Sequence, residues 1–124
     1  MEKLNQKTKV FISQPMGGYT LEEIKRTRKK IVNDLEAMYS DKDVEVVDNV
    51  TINMDYITDN MSHPGLWYFA ESLKLMVGVD FVIFADGWED SVGCRLEHEI
   101  TKAFGIRAVS IKEIEFINAT NRRN

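Results

Sequence analysis

At 124 residues the chain has the length of one domain, 1–124, and can bury roughly two-thirds of its unfolded surface without staples. With 44% apolar and 29% charged residues, two prolines and no biased tract, it is neither disordered nor fibrous. The net charge of −4 argues against a nucleic-acid polymer as partner, because such binding needs clustered Lys and Arg to neutralise phosphates.

The single Cys94 excludes an internal disulfide, and with only two histidines beside it a zinc site is not expected. No metal and no cofactor is expected. No apolar run approaches the roughly 20 residues that span a bilayer, and the polar start Met1 to Lys9 lacks a signal-peptide core. The expectation is a cytoplasmic protein with no membrane partner.

Lys9 to Ser13 is short, apolar and rich in β-formers, a buried first strand stopped by Pro15 and Gly17-Gly18. Thr20 and Glu23 then have capping-box spacing, with Tyr19 and Ile24 at the staple positions. Leu21, Ile24, Ile31, Leu35 and Met38 recur at threes and fours, which predicts a helix over about 21–39. Val44 to Asp48 reads as a second strand, parallel to the first because a long helix joins them. Residues 49–65 have no clear period and read as a lid with some helical turn.

Leu66, Phe69, Ala70, Leu73, Met76 and Val77 make a second amphipathic helix, with Gly78 expected as a left-handed cap. Phe81 to Ala85 is continuously apolar and suits a central strand. Val92, Leu96, Ile100, Ala103 and Phe104 form a third helical face closed by Gly105, and Ile106 to Ile111 reads as a fourth strand. Ile114 to Ile117 is compatible with a fifth. The alternation predicts a three-layer α/β/α doubly wound parallel sheet, flavodoxin-like, with strand order 2-1-3-4. Ligands in such sheets bind outside the carboxyl ends of the strands at the switch point, here between the loops Gln14 to Tyr19 and Asp86 to Ser91.

In the second loop Asp90 or Ser91 can cap the third helix, and Gly93 in its first turn allows an anion to approach free N–H groups. Glu97 and Glu99 lie at opposite edges of the apolar arc, so periodicity does not choose between them. Glu97 is nearer the open end and shares the side of Gly93, which favours it as the inward carboxylate.

Ser13-Gln14-Pro15-Met16-Gly17-Gly18, then Asp80, Gly87-Trp88 and Ser91-x-Gly93-x-x-x-Glu97, followed by Ala103 and Gly105, resemble the nucleoside 2-deoxyribosyltransferase-like family over about residues 9–111. That family includes transferases, a hydrolase of 2′-deoxynucleoside 5′-monophosphates and many small proteins, often from phages. The resemblance implies that Glu97 is the catalytic carboxylate acting at the sugar C1′, and that the partner is a nucleoside or nucleotide. It implies substrate contacts from Ser13, Gln14, Met16, Gly17, Gly18, Asp86, Gly87, Trp88, Ser91 and Gly93. It also implies a homo-oligomer, with the tail near Asn118 to Asn121 within reach of a neighbour. A carboxylate suits this chemistry because N-glycosidic cleavage builds oxocarbenium character that it can trap or shield. Ser91 matches the monophosphate hydrolase, where transferases carry an acid.

Two positions depart from the family. Ser72 stands eight residues before Asp80, where an aspartate is common, and Gln14 replaces a small residue. Asp80 is expected to brace the first loop and Ser72 to support the site. Trp67, Tyr68 and Trp88 can stack on a base, although aromatics near helix starts more often join the core, and Trp88 is the best of the three. His63 reads as a lid residue and Cys94 as a packed side chain. The rival to catalysis is a non-catalytic nucleotide-derivative binder or sensor; a third reading is a flavin-binding or interaction domain.

Overall fold

A computed structural model describes residues 7–39, 43–50 and 61–122. Strands β1 (Thr8–Ser13), β2 (Val44–Val46), β3 (Phe81–Phe84) and β4 (Arg107–Ser110) alternate with helices α1 (Leu21–Met38), α2 (Pro64–Met76), α3 (Val92–Phe104) and α4 (Ile111–Arg122). The strands form one parallel sheet in the order β2-β1-β3-β4. This is the three-layer, flavodoxin-like arrangement expected from the alternation. The heart of the expected lid, residues 51–60, lies outside the described residues.

Side-chain alternation along the strands builds two apolar layers. Val10, Ile12, Phe81, Ile83, Ala85 and Val109 pack with Ile31 and Leu35 of α1 and Ile114 of α4. Phe11, Val82 and Phe84 pack on the other face with Met76 and Leu73 of α2 and Ile100 of α3. Every residue of β3 is buried, as a central parallel strand requires.

Local signals fix several element ends. The Thr20 side chain accepts from Glu23 N–H at 3.1 Å and the Glu23 carboxylate accepts from Thr20 N–H at 2.8 Å, completing the capping box. Ser91, not Asp90, caps α3, and Gly105 ends it in the left-handed conformation at φ 70°. Gly78 does not play that part in α2: its φ is not positive, and Val77 ends the helix in a right-handed turn. The chain leaves α2 through a tighter turn, with Val77 N–H bonded to the Lys74 carbonyl at 3.3 Å.

The tail is helix, where Ile114 to Ile117 had suggested a strand. Ser110 and Glu113 form a second reciprocal capping pair, at 3.0 and 3.3 Å, and Ile111, Ile114 and Asn118 bury one face at helical spacing. The Ser-x-x-Glu spacing carries this signal in the sequence, but the apolar Ile-x-Phe-Ile run competes with it. Asn118 is turned onto its own α1, where Nδ2 donates to the Asp34 carbonyl at 2.8 Å. Ser110→Ala is expected to lower stability by about 1 kcal/mol, seen as a lower urea midpoint at unchanged slope.

Candidate functional site

The carboxyl ends of β1 and β3 lie level, because Val10 to Ser13 pair in register with Phe81 to Phe84 and Ala85 N–H continues the ladder to the Ser13 carbonyl at 2.9 Å. The loops that follow therefore emerge side by side. In the first, Tyr19 N–H bonds to the Met16 carbonyl at 3.2 Å and Gly18, at φ 85°, supplies the turn geometry that a side chain disfavours. In the second, Gly87 at φ 84° leads into a 3-10 turn over Trp88–Asp90 and then the Ser91 cap.

Between the first loop, α2 and the start of α3 is a cleft of about 220 Å³, lined by Gln14, Met16, Gly17, Asn49, Gly65, Tyr68, Phe69, Ser72, Ser91, Gly93, Cys94 and Glu97. Glu97 is 7% exposed, whereas Glu99 is exposed and pairs only loosely with Lys102 at 3.7 Å. The inward edge of α3 is thus the one on the Gly93 side. Ser13 Oγ donates to Glu97 Oε1 at 2.6 Å, a short charge-assisted bond that ties the end of β1 to the second turn of α3.

Burial pushes the Glu97 carboxyl up to about 7, and the Ser13 hydrogen bond opposes that rise. Burial likewise raises the Cys94 thiol, against hydrogen bonds from Ser13 and Ser91, so Cys94 is a packed thiol and no thiolate. Tyr68 is raised by burial and then by the neighbouring Glu97. Its hydroxyl donates to the Asn49 carbonyl at 2.6 Å and lies 3.4 Å from Met16 Sδ.

Asn49 organises this wall: its Nδ2 donates to the Ile12 carbonyl at 3.2 Å and its Oδ1 accepts from Arg28 at 2.8 Å. Burial lowers the Arg28 guanidinium, with Asp48 opposing. Nothing in the sequence marks Asn49, since its partners come from three distant segments.

The expected residues divide. Ser13, Gln14, Met16, Gly17, Ser72, Ser91, Gly93 and Glu97 converge on the cleft. A side chain added at Gly17 or Gly93 would meet no atom within 4 Å, so both backbones face open space. An adjoining hollow shares Gly17, Ser91 and Gly93 and extends to Gly87 and Asp90. Gly18 shapes the first loop. Asp86 faces the other side of the sheet, in a cavity with α1 and α4.

Trp88 is not among the cleft residues. Its ring stacks on His98 at 4.4 Å and tilts against Phe84 at 5.3 Å, so it belongs with the core on the α3 side. Asp80 does not brace the first loop. It opens β3 at the amino end of the sheet, where its carboxylate accepts from Lys9 N–H at 2.8 Å, one strand length from the site.

Gln14 carries an anomaly. Its Nε2 donates to the Ile24 carbonyl at 3.1 Å, but its buried Oε1 has no partner. Leaving such an acceptor unmet costs about 1–3 kcal/mol.

Among the described residues, no group of three or more His, Cys, Asp or Glu is placed to hold a metal, and no helix is long and apolar enough to cross a membrane. Comparison with protein-family models, characterised proteins and solved structures finds no match for this chain.

The raised carboxyl sets a pH dependence of stability. Unfolded, Glu97 loses its proton near 4.5; folded, it holds the proton to about 7. Between those values the folded state binds more protons, so this group's contribution falls as pH rises and levels off above 7, a loss on the order of 3 kcal/mol. Glu97→Gln is expected to raise the urea midpoint at pH 8 and leave it nearly unchanged at pH 4.

Proposed function

We propose that the chain cleaves or transfers the N-glycosidic bond of a 2′-deoxynucleoside or its 5′-monophosphate, with Glu97 as the carboxylate that attacks C1′. The observation that carries this reading is a buried carboxylate in an open cleft beside a serine-capped helix start. Attack at C1′ needs an ionised carboxylate held at one place, and the Ser13 hydroxyl both orients Glu97 and favours its charged form. The N–H groups of the first turn of α3, with Ser91 Oγ and the bare backbone at Gly93, suit a phosphate. Sugar and base would then occupy the space between Met16, Tyr68 and Phe69.

Chromatography after incubation with each deoxynucleoside and deoxynucleoside monophosphate tests the proposal. Free base is expected, with Glu97→Gln lowering kcat/KM on the order of 10⁴-fold. Because the nucleophile must be ionised, kcat/KM should rise with pH and level off above about 7. Absence of Glu97-dependent release overturns the reading.

Ser72 favours a second reading. It is buried in the cleft wall, and Glu97 is the one carboxylate among the described lining residues, none of which supplies a second carboxylic acid to assist the leaving base. On this reading the cleft binds or senses a nucleotide derivative without turnover. Calorimetry showing saturable nucleotide binding, together with no base release, would establish it over the first.

We further propose a cytoplasmic homo-oligomer. Exposed apolar side chains on α3, Val92, Leu96 and Phe104, support an assembled state. Sedimentation equilibrium should give a mass above that of one chain, and a monomer would remove this part of the proposal.

A further inference from the structure

The Glu97 cleft has two electrical poles. One is the start of α3, whose first-turn N–H groups and Ser91 cap carry the positive end of the helix dipole. The other is Glu97, buried and held by Ser13. The described lining residues include no Lys, Arg or His to neutralise it. Arg28 stands outside the lining, its guanidinium turned to Asn49 Oδ1 and the Val47 carbonyl. Two aromatic side chains, Tyr68 and Phe69, also wall the cleft, and Tyr68 lies close enough to feel the Glu97 charge. Tyr68 Oη gives its proton to the Asn49 carbonyl at 2.6 Å, so toward a ligand it can only accept.

Ser72 is an independent sign of a ligand. It is 2% exposed, and its hydroxyl makes no hydrogen bond among the described residues. Gln14 Oε1 is the one unpartnered side-chain polar atom among them that is sealed from solvent, so the Ser72 hydroxyl keeps an open face, and the cavity it lines is the Glu97 cleft. Buried polar groups are as a rule paired, and the partner of this one belongs to whatever fills the cleft.

We propose that the nucleotide of this cleft carries a cationic base, a pyridinium ring with a polar substituent, which leaves as a neutral molecule. This rests on the glycosidic reading of the site and names its substrate. The phosphate meets the start of α3, the ring lies between Glu97 and the aromatic walls, and the substituent meets Ser72. As Glu97 forms the C1′–O bond the C1′–N bond breaks, and the bonding pair returns to the ring nitrogen and cancels its charge. Water then adds at C1′, the ester bond returns its pair to the carboxylate, and one water proton passes to solvent. An ordinary base departs as an anion unless an acid protonates it, a service worth about 10²–10⁴-fold. Glu97 is the one carboxylate among the described lining residues, and a pyridinium asks for no such acid. A single ring also suits a cleft of about 220 Å³.

The test uses the 2′-deoxy form of nicotinamide mononucleotide and its 1,4-dihydro form, which keeps the shape and loses the positive charge. Calorimetry at pH 8, above the Glu97 value of about 7, should show the cationic form binding at least about tenfold tighter. Glu97→Gln should reduce that ratio to about threefold or less, and Ser72→Ala should weaken the cationic form about threefold to tenfold. Chromatography should show Glu97-dependent release of nicotinamide, with kcat/KM on the order of 10²-fold above release of cytosine from 2′-deoxycytidine 5′-monophosphate. Equal binding of the two forms, or cytosine released as fast as nicotinamide, overturns this inference and leaves the Glu97 chemistry standing. Tighter binding of the cation with no Glu97-dependent release of any base overturns the glycosidic reading and upholds the cation preference. No binding of either form overturns the inference outright.

Discussion

The parallel pairing of β1 with β3 is the constraint on which the site depends. Four residues of each strand run in register, and one further hydrogen bond carries the ladder past their ends. A slip by one residue would turn Ser13 away from α3 and exchange the two apolar layers, because side chains alternate faces. The register instead delivers Ser13 to Glu97 and Gln14 to α1. Consecutive residues at the end of β1 thereby bond to helices on opposite faces of the sheet.

Helix α3 shows what that arrangement costs. Its buried side chains are Cys94, Glu97 and Thr101, while Val92, Leu96 and Phe104 face outward. The apolar arc suggested by the sequence is therefore rotated away from the core, and only Ile100 of that arc packs with the apolar layer. Thr101 satisfies itself on the His98 carbonyl at 2.6 Å and Glu97 on Ser13. A helix that buries a carboxylate and exposes valine, leucine and phenylalanine is arranged for something other than its own stability. The outward apolar residues suit contact with another surface, and the inward carboxylate suits chemistry.

The polar network at the end of β2 has a different character. Arg28, Asn49 and Tyr68 come from α1, the segment after β2 and α2, and each closes a hydrogen bond that another leaves open. Asn49 also holds the Ile12 carbonyl of the central strand. Such a satisfied, partly buried network favours one geometry for the cleft wall, since each partly broken alternative leaves a polar group without a partner.

The order of elements as far as β4, the parallel sheet and the position of the loops after β1 and β3 follow from the sequence, because they rest on local signals. Apolar runs, the Thr20 and Glu23 spacing and the Gly17-Gly18 and Gly105 stops each act within a few residues. Ser91, Gly93 and Glu97 were legible as neighbours on one helix start for the same reason, with Glu99 left as a rival to Glu97 by periodicity. Tertiary structure alone decided which face of α3 turns inward, that Trp88 joins His98 rather than the cleft, that Asp80 sits at the wrong end of the sheet for the site, and that Asn49 braces the wall. Those outcomes depend on partners far along the chain, and a helical wheel cannot rank two edges when the sheet beneath offers a hydroxyl to one of them.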